Sequence, residues 1–394
     1  MSLKSLIIKG GVVLLIILAG MANMSFISDS HKSQHNDNET HSDQPGEDWQ
    51  EEVKEEEFNA GKSIIEHIVD SHDWHILTYE DSEGHEKHVS IPLPVILYHE
   101  GNLYAFWSSK FHHGHSSYKG FHLETDDPNK GKIVYRLERD FIDGETAVAD
   151  DGSTMPLDLS ITKNVVAILF SSILMIVIFV SIARRYKKRQ KQAPKGIQSL
   201  LEPLVIFIRD DIAKASIGEK KYERYMPFLL TIFFFIFFNN LLGLIPFFPG
   251  GANVTGNIAV TMVLAAFTFL ITTFSGNRNY WQHIFNAPGV PWWLKFPIPL
   301  MPIVEIVGIF TKPFVLMVRL FANISAGHII ILGFISLIFI FGDIMPALGY
   351  GVSIVSVLFG IFMSLLELLV AFIQAYVFTL LSALYFGMAV EEHH

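Results

Sequence analysis

Pro299–Phe341 reads PLMPIVEIVGIFTKPFVLMVRLFANISAGHIIILGFISLIFIF, and Val352–Met388 reads VSIVSVLFGIFMSLLELLVAFIQAYVFTLLSALYFGM. Both runs are almost continuously apolar. Between them stand Asp343, Pro346, Gly349 and Gly351, which read as a turn. A helix over the first run would be about 60 Å long at 1.5 Å per residue, roughly twice the hydrocarbon thickness of a bilayer. An upright single span is excluded, so this helix tilts steeply, kinks or lies partly in the bilayer plane. The two runs are expected to form a long antiparallel hairpin that turns over Pro346–Gly351.

Upstream, Val165–Ile182 is an uninterrupted apolar run long enough to cross, and Arg184, Arg185, Lys187, Lys188 and Arg189 follow it at once. Those charges assign that end to the cytoplasm. Ile197–Ala215 mixes apolar residues at helical spacing with Glu202, Arg209, Asp210, Asp211 and Lys214, the pattern of an interfacial helix. Phe228–Ile245 spans outward to Pro246 and Pro249, and the turn from Phe247 to Asn253 carries no Lys or Arg. Ile258–Phe274 returns to a loop with Arg278, Trp281, Trp292, Trp293 and Lys295, an aromatic cluster suited to an interface. The fold class expected is an all-α polytopic membrane protein with five crossings plus one interfacial helix. Its start lies outside and the C-terminal Glu391, Glu392, His393 and His394 inside.

The first 27 residues carry Lys4 and Lys9, then the apolar Val12–Ala19 and small residues around Ala22, the order of a signal peptide. An uncleaved anchor is the alternative, and it leaves residues 28–160 outside as well. Residues 28–58 are polar, acidic and His-rich, with too little apolar surface to offset ordering entropy, and read as a disordered linker. Residues 59–155 form a small exported domain in which pieces such as Val89–Tyr98 and Tyr104–Trp107 suggest strands. Residues 156–394 are the transmembrane domain.

Composition narrows the function. Half of the residues are hydrophobic, with 33 Phe, and they cluster rather than spread, which argues against a water-soluble domain. No Cys occurs, so disulfides, thiolate nucleophiles and cysteine metal sites are excluded. The net charge of -10 resides mainly in the exported part, and the one strongly basic stretch, Arg184–Lys195, adjoins a span, which argues against nucleic-acid binding. His112, His113, His115 and His122 form a patch, but without Cys or helical His spacing it reads as a solvated surface rather than a metal site.

Chemistry is expected where polar groups enter the two long runs: Glu305, Lys312, Arg319, His328 and Glu367, with Asn323 and Gln374. A charge at a helix centre costs about 2.5–3.5 kcal/mol on insertion scales, so such groups face protein or water and pair. Glu305, Lys312 and Arg319 recur every seven residues and form one stripe, and Asn323 lies on nearly the same face. Folding the hairpin about residue 347 sets Arg319 beside Gln374, His328 beside Glu367 and Asn323 opposite Ala371. The alternative for these groups, and for Asn323 above all, is interhelical structural bonding. Nine residues separate Arg319 from His328, so the two point to nearly opposite sides.

The stretch Thr311-Lys-Pro-Phe-Val-Leu-Met-Val-Arg-Leu-Phe-Ala-Asn-Ile-Ser-Ala-Gly-His328 closely resembles the signature of subunit a of F-type ATP synthases. Asn239-Asn-Leu-Leu-Gly-Leu-Ile-Pro246, the spacing of Glu367 to Gln374, and the Gln374-Ala-Tyr-Val-Phe-Thr-Leu-Leu run resemble the same family, in the same order. The likeness covers Ile197 to the C-terminus. It implies a non-catalytic stator subunit in a bacterial inner membrane, forming two offset proton half-channels against a rotating c-ring of small carboxylate-bearing subunits. Peripheral-stalk b-type subunits and, indirectly, the F1 sector are implied partners.

By that resemblance Arg319 takes the essential arginine position and Gln374 its neighbouring glutamine, with His328, Glu367, Asn323 and Glu305 as further groups on the proton path. His328 and Glu367 present, exchanged, the acid and imidazole that many members carry. One departure is Asn257 and Ala259 in Thr255-Gly-Asn-Ile-Ala, where many members have Asp and Asn. No nucleotide-binding motif is present, and no cofactor is expected. Whether H+ or Na+ is the coupling ion stays open.

Two other classes compete. A secondary transporter with an intramembrane Arg/His/Glu network would show inverted repeats, and none is evident. An intramembrane protease would need a nucleophile, but Ser325, three residues before His328, reads better as a packing residue.

Overall fold

The computed structural model describes residues 61, 70–80, 86–114, 116–124, 131–136, 154–188, 194–245, 250–285 and 300–391. The expected signal peptide and linker lie outside the described residues, as do His115, Arg189, Pro246, Pro249, Trp292, Trp293, Lys295, Glu392, His393 and His394.

Among the described residues, five helices are long and apolar enough to cross a membrane, the number expected. The first, α1 (Lys163–Lys188), ends on Arg185, Lys187 and Lys188. The expected interfacial segment is α2 (Ile197–Phe207), continued without a break by a π-helical stretch, Ile208–Lys214, and by Ala215–Ile217. Its inner side buries Leu201, Ile208, Ile212, Ala213 and Ile217 in the main apolar core. Its outer side carries Asp210, held by Arg209 at 2.8 Å and Lys214 at 2.7 Å, which keep that carboxyl well below the usual range.

The centre of the bundle is α3 (Tyr222–Gly243), which buries Leu229 and every residue from Ile232 to Ile236. A helix apolar all round belongs in an interior. Phe233 and Phe234 pack edge to face with each other, Phe234 meets Phe179 of α1 at 4.7 Å, and Phe233 meets Phe372 at 6.0 Å. The abundance of Phe is thus used to join helices, as offset ring pairs do. Next comes α4 (Ile258–Ser275), whose first turn is capped by Asn257: its side-chain oxygen accepts from the Ala259 N–H at 2.9 Å. The start of the expected loop after it is instead a short helix, α5 (Arg278–Phe285), with Trp281 stacked on Phe285.

The two long runs form α6 (Leu300–Ile344) and α7 (Pro346–Val390), of 45 residues each, packed as a hairpin. The turn is shorter than expected: Met345 alone, in extended conformation, separates the helices. Pro346 opens α7, where a missing N–H leaves no bond unmade. Gly349 and Gly351 lie inside the helix rather than in a turn. Gly349 is there for contact, since a Cβ on it would stand 2.8 Å from the Gly342 Cα.

The segment before α1 contains β1 (Asp73–Glu80), β2 (Glu86–Pro92), β3 (Pro94–His99), β4 (Asn102–Trp107), β5 (Phe121–Leu123), β6 (Ile133–Tyr135) and β7 (Leu157–Asp158). They pair antiparallel as β1–β2, β4–β3–β7 and β5–β6. A small core of Val95, Leu97, Phe111, Phe121 and Ile133 sits under the three-stranded sheet.

Hydrogen bonds tie these strands to the start of α1. The Asp70 carboxylate accepts from the Asn164 N–H at 3.0 Å and the Thr162 hydroxyl at 2.7 Å, capping the helix from a distant part of the chain. The Lys163 N–H donates to the Ser71 carbonyl, and buried His72 bonds Asp158 at 2.8 Å. Burial pushes the Asp70 carboxyl up. At Asp158 burial acts the same way, but the bond and charge of His72, with two donors from Ser160, outweigh it and hold that carboxyl below its ordinary value.

Candidate functional site

The hairpin keeps one register along its length. Gly342 lies against Gly349, the Phe334 and Phe359 rings stack at 5.2 Å, His328 meets Glu367, and the Lys312 ammonium lies 5.8 Å from the Tyr385 ring centre. A 3.6-residue repeat then decides which side chains of α6 turn inward. Leu316, Met317, Leu320, Ile324 and Ser325 are buried in the bundle, whereas Arg319, Ala322, Asn323 and Ala326 stand on its uncovered side.

His328 and Glu367 touch: imidazole Nδ1 and carboxylate Oε1 share a hydrogen bond inside the bundle, with Glu367 buried. Gly327 makes the room, because a Cβ there would stand 2.8 Å from Glu367 Oε1. A small cavity adjoins the pair, lined also by Asn239, Asn240, Asn253 and Thr255. Thr255 donates its hydroxyl to Asn240 Oδ1, and Asn240 Nδ2 reaches the Ala371 carbonyl at 3.4 Å. Asn239 Oδ1 and Asn253 Nδ2, both on buried side chains, have no protein partner among the described residues. A buried amide atom left unpaired costs about 1–3 kcal/mol, which water in such a cavity offsets.

Other expected site residues stand apart. Gln374 is buried on α7, and no hydrogen bond joins it to Arg319 among the described residues. Arg319 and Asn323 share the open face. Glu305 lies near the start of α6, about 35 Å along the helix from His328. There, partial burial and, second to it, the Glu305 charge raise the Tyr280 hydroxyl of α5. Asn257 is outside the cavity lining and caps α4.

Asn253 and Thr255 are the groups that sequence reasoning passed over. Their signal was present: Asn239, Asn240 and Asn253 are three amides flanking an otherwise apolar turn between spans, an arrangement that is costly unless the groups face water or one another.

A helical bundle with membrane-length helices and ionisable groups gathered between them belongs to the class of helical membrane proteins whose buried ionisable groups mark a functional interior. Residues 165–387 match the family of the ATP synthase A chain, and the chain belongs to that family. Membership makes it a non-catalytic subunit of the membrane sector of that complex. It is 48% identical over 244 residues to an ATP synthase subunit a of Chloroherpeton thalassium, covering 60% of this chain and 69% of that one. Identity to an ATP synthase subunit a 2 of Chlorobaculum tepidum is 50% over 241 residues, covering 60% of this chain and 64% of that one. To an ATP synthase subunit a of Myxococcus xanthus it is 46% over 244 residues, covering 60% and 75%. Residues 63–159 match a separate family described as a domain of unknown function, DUF8433.

Proposed function

We propose that this chain is the stator against which a c-ring turns, supplying two offset half-channels for the coupling ion. The observation that carries this is the two-sidedness of α6. His328 and Glu367 meet inside the bundle beside a cavity lined by buried amides, while Arg319 stands about two and a half turns away on the open, opposite side of the helix.

Each side has its chemistry. Imidazole titrates near neutral pH and can pass a proton to and from water, and a carboxylate beside it can share that proton. Asn239, Asn253 and the water they require extend the path from the pair. The Arg319 guanidinium stays charged under cellular conditions and cannot relay protons. Facing a ring carboxylate, it favours the ionised form and so promotes proton release, while its fixed charge blocks a direct hop between half-channels. Protons therefore travel around with the ring. Gln374 and Asn323 flank this contact, and Glu305, remote from the cavity, belongs to the other half-channel.

The basic end of α1 supports the reading that the C-terminus lies in the cytoplasm of a bacterium and residues 59–155 outside its inner membrane. A b-type stalk holds the stator, and the F1 sector is reached through the ring and stalk.

The chain has no Cys, so cross-linking tests the open face directly. With Ala322→Cys on α6 and a cysteine near the carboxylate on the outer ring helix, oxidation is expected to give a dimer of this chain with a ring subunit. Leu320→Cys, at a buried position, is expected to give none. The opposite pattern contradicts the proposed orientation.

A further inference from the structure

The sheet β4–β3–β7 has one covered face and one open face. Val95, Leu97 and His99 of β3 turn into the small core, and Pro94, Ile96 and Tyr98 turn away from it. On the open face the register aligns side chains in rows. Tyr98 lies between Leu103 of β4 and Leu157 of β7. Ile96 pairs with Ala105 and accepts the Leu159 N–H, and Pro94 pairs with Trp107. Leu103 is 65% exposed, Trp107 58%, Leu157 55%, Tyr98 47% and Leu159 40%. No charged side chain stands in these rows.

A contiguous apolar face of this kind marks an interaction surface. Its position says what covers it. Counting back from Arg184, about 20 residues of helix cross the roughly 30 Å of hydrocarbon and bring the chain to the start of α1. The sheet ladder runs on to that same point: Leu159 donates to Ile96 and Ile161 to Pro94, two residues before Lys163. The bonds of Asp70, Ser71 and His72 leave no flexible linker between sheet and helix. The Pro94–Trp107 end of the open face thus adjoins the start of α1, at the end of the span opposite Arg184–Lys188.

Its chemistry fits lipid better than a folded partner. Protein interfaces carry about one hydrogen bond per 100–200 Å² and a polar rim, whereas these rows offer one phenol and one indole N–H amid aliphatic groups. Trp and Tyr with aliphatic neighbours is the composition found at the boundary between headgroups and acyl chains.

We infer that the open face of β4–β3–β7 is a membrane-docking surface that lies on the leaflet at the start of α1 and holds the exported domain flat against the bilayer. This rests on reading α1 as a membrane span. The test uses the whole assembled membrane sector in liposomes, with a single cysteine at Leu103, Trp107 or, as a reference on the outer side of α1, Ile173, labelled with an environment-sensitive fluorophore. Nitroxide lipids are expected to quench the labels at 103 and 107 several-fold more than aqueous iodide does, as at 173. Stronger quenching by iodide at 103 and 107 puts the face in water and overturns the inference. Protection from both quenchers there means that protein covers it, which also overturns it. If the label at 173 is itself not quenched by lipid, the span reading fails and the inference with it.

Discussion

His328 on α6 and Glu367 on α7 share a hydrogen bond across the hairpin, at the level where Gly327 leaves room for the carboxylate. Each group needs the other, since a buried carboxylate without a donor pays its full desolvation cost. If the pair relays protons, His328→Ala or Glu367→Gln should lower ATP-driven proton uptake on the order of 100-fold or more in assembled complexes. The exchange His328→Glu with Glu367→His restores one acid and one imidazole at the same contact. It should pump faster than either His328→Glu or Glu367→His alone, a non-additivity that a cycle of the four forms measures.

Gly327→Ala should act through the same contact. The added methyl would stand 2.8 Å from Glu367 Oε1, so the carboxylate must move off the imidazole. Gly333 of the same helix would have nothing within 4 Å of an added methyl and serves as the reference. Proton uptake should fall several-fold in Gly327→Ala and stay unchanged in Gly333→Ala, with equal complex assembly.

Much of this arrangement was legible beforehand, for a physical reason. A charge in an apolar run is so costly that its position alone marks a paired or hydrated site, and a hairpin has one free parameter, its turn. Residue 347 served well enough to bring His328 to Glu367, although the turn is Met345. Gly349 and Gly351 misled because glycine serves two ends, turns and close helix contact, and Gly349 serves the second. The cavity was harder to foresee. Asn253 and Thr255 lie outside the long helices, and only the packing of the turn before α4 against α3 brings them to Glu367. The strands before α1 were visible as short alternating pieces, but their three small sheets depend on pairings between distant segments, such as β3 with β7, that no local pattern encodes.

Close packing at the other end of α7 gives a stability prediction. A Cβ on Gly387 would stand 2.0 Å from the Ser216 carbonyl oxygen, a backbone atom that cannot turn aside. Gly387→Ala should destabilise the fold by about 1–3 kcal/mol, as overpacking does. The expected readout is a lower thermal midpoint in detergent and less assembled complex in membranes.

The junction before α1 predicts a pH dependence. Asp158 titrates below its ordinary value because His72 and Ser160 outweigh its burial. Its contribution to stability is therefore complete above the unfolded carboxyl value of about 4 and is lost as pH falls through the lowered folded value. Protection of the Ile96 and Leu159 amides from hydrogen exchange, measured against the intrinsic rate at each pH, should fall below about pH 4 in the wild type. In Asp158→Asn that protection should already be lower at neutral pH, and its acid-dependent loss should be absent.

Arg319 decides the matter most directly. Inverted membrane vesicles carrying the wild-type chain or Arg319→Ala, matched for assembled complex, are given ATP and their internal acidification is followed. The wild type should acidify and Arg319→Ala should not, because a ring carboxylate passing the open face of α6 would lose the charge that ionises it and keeps the half-channels apart. Normal acidification by the assembled Arg319→Ala complex would contradict a stator built around this residue.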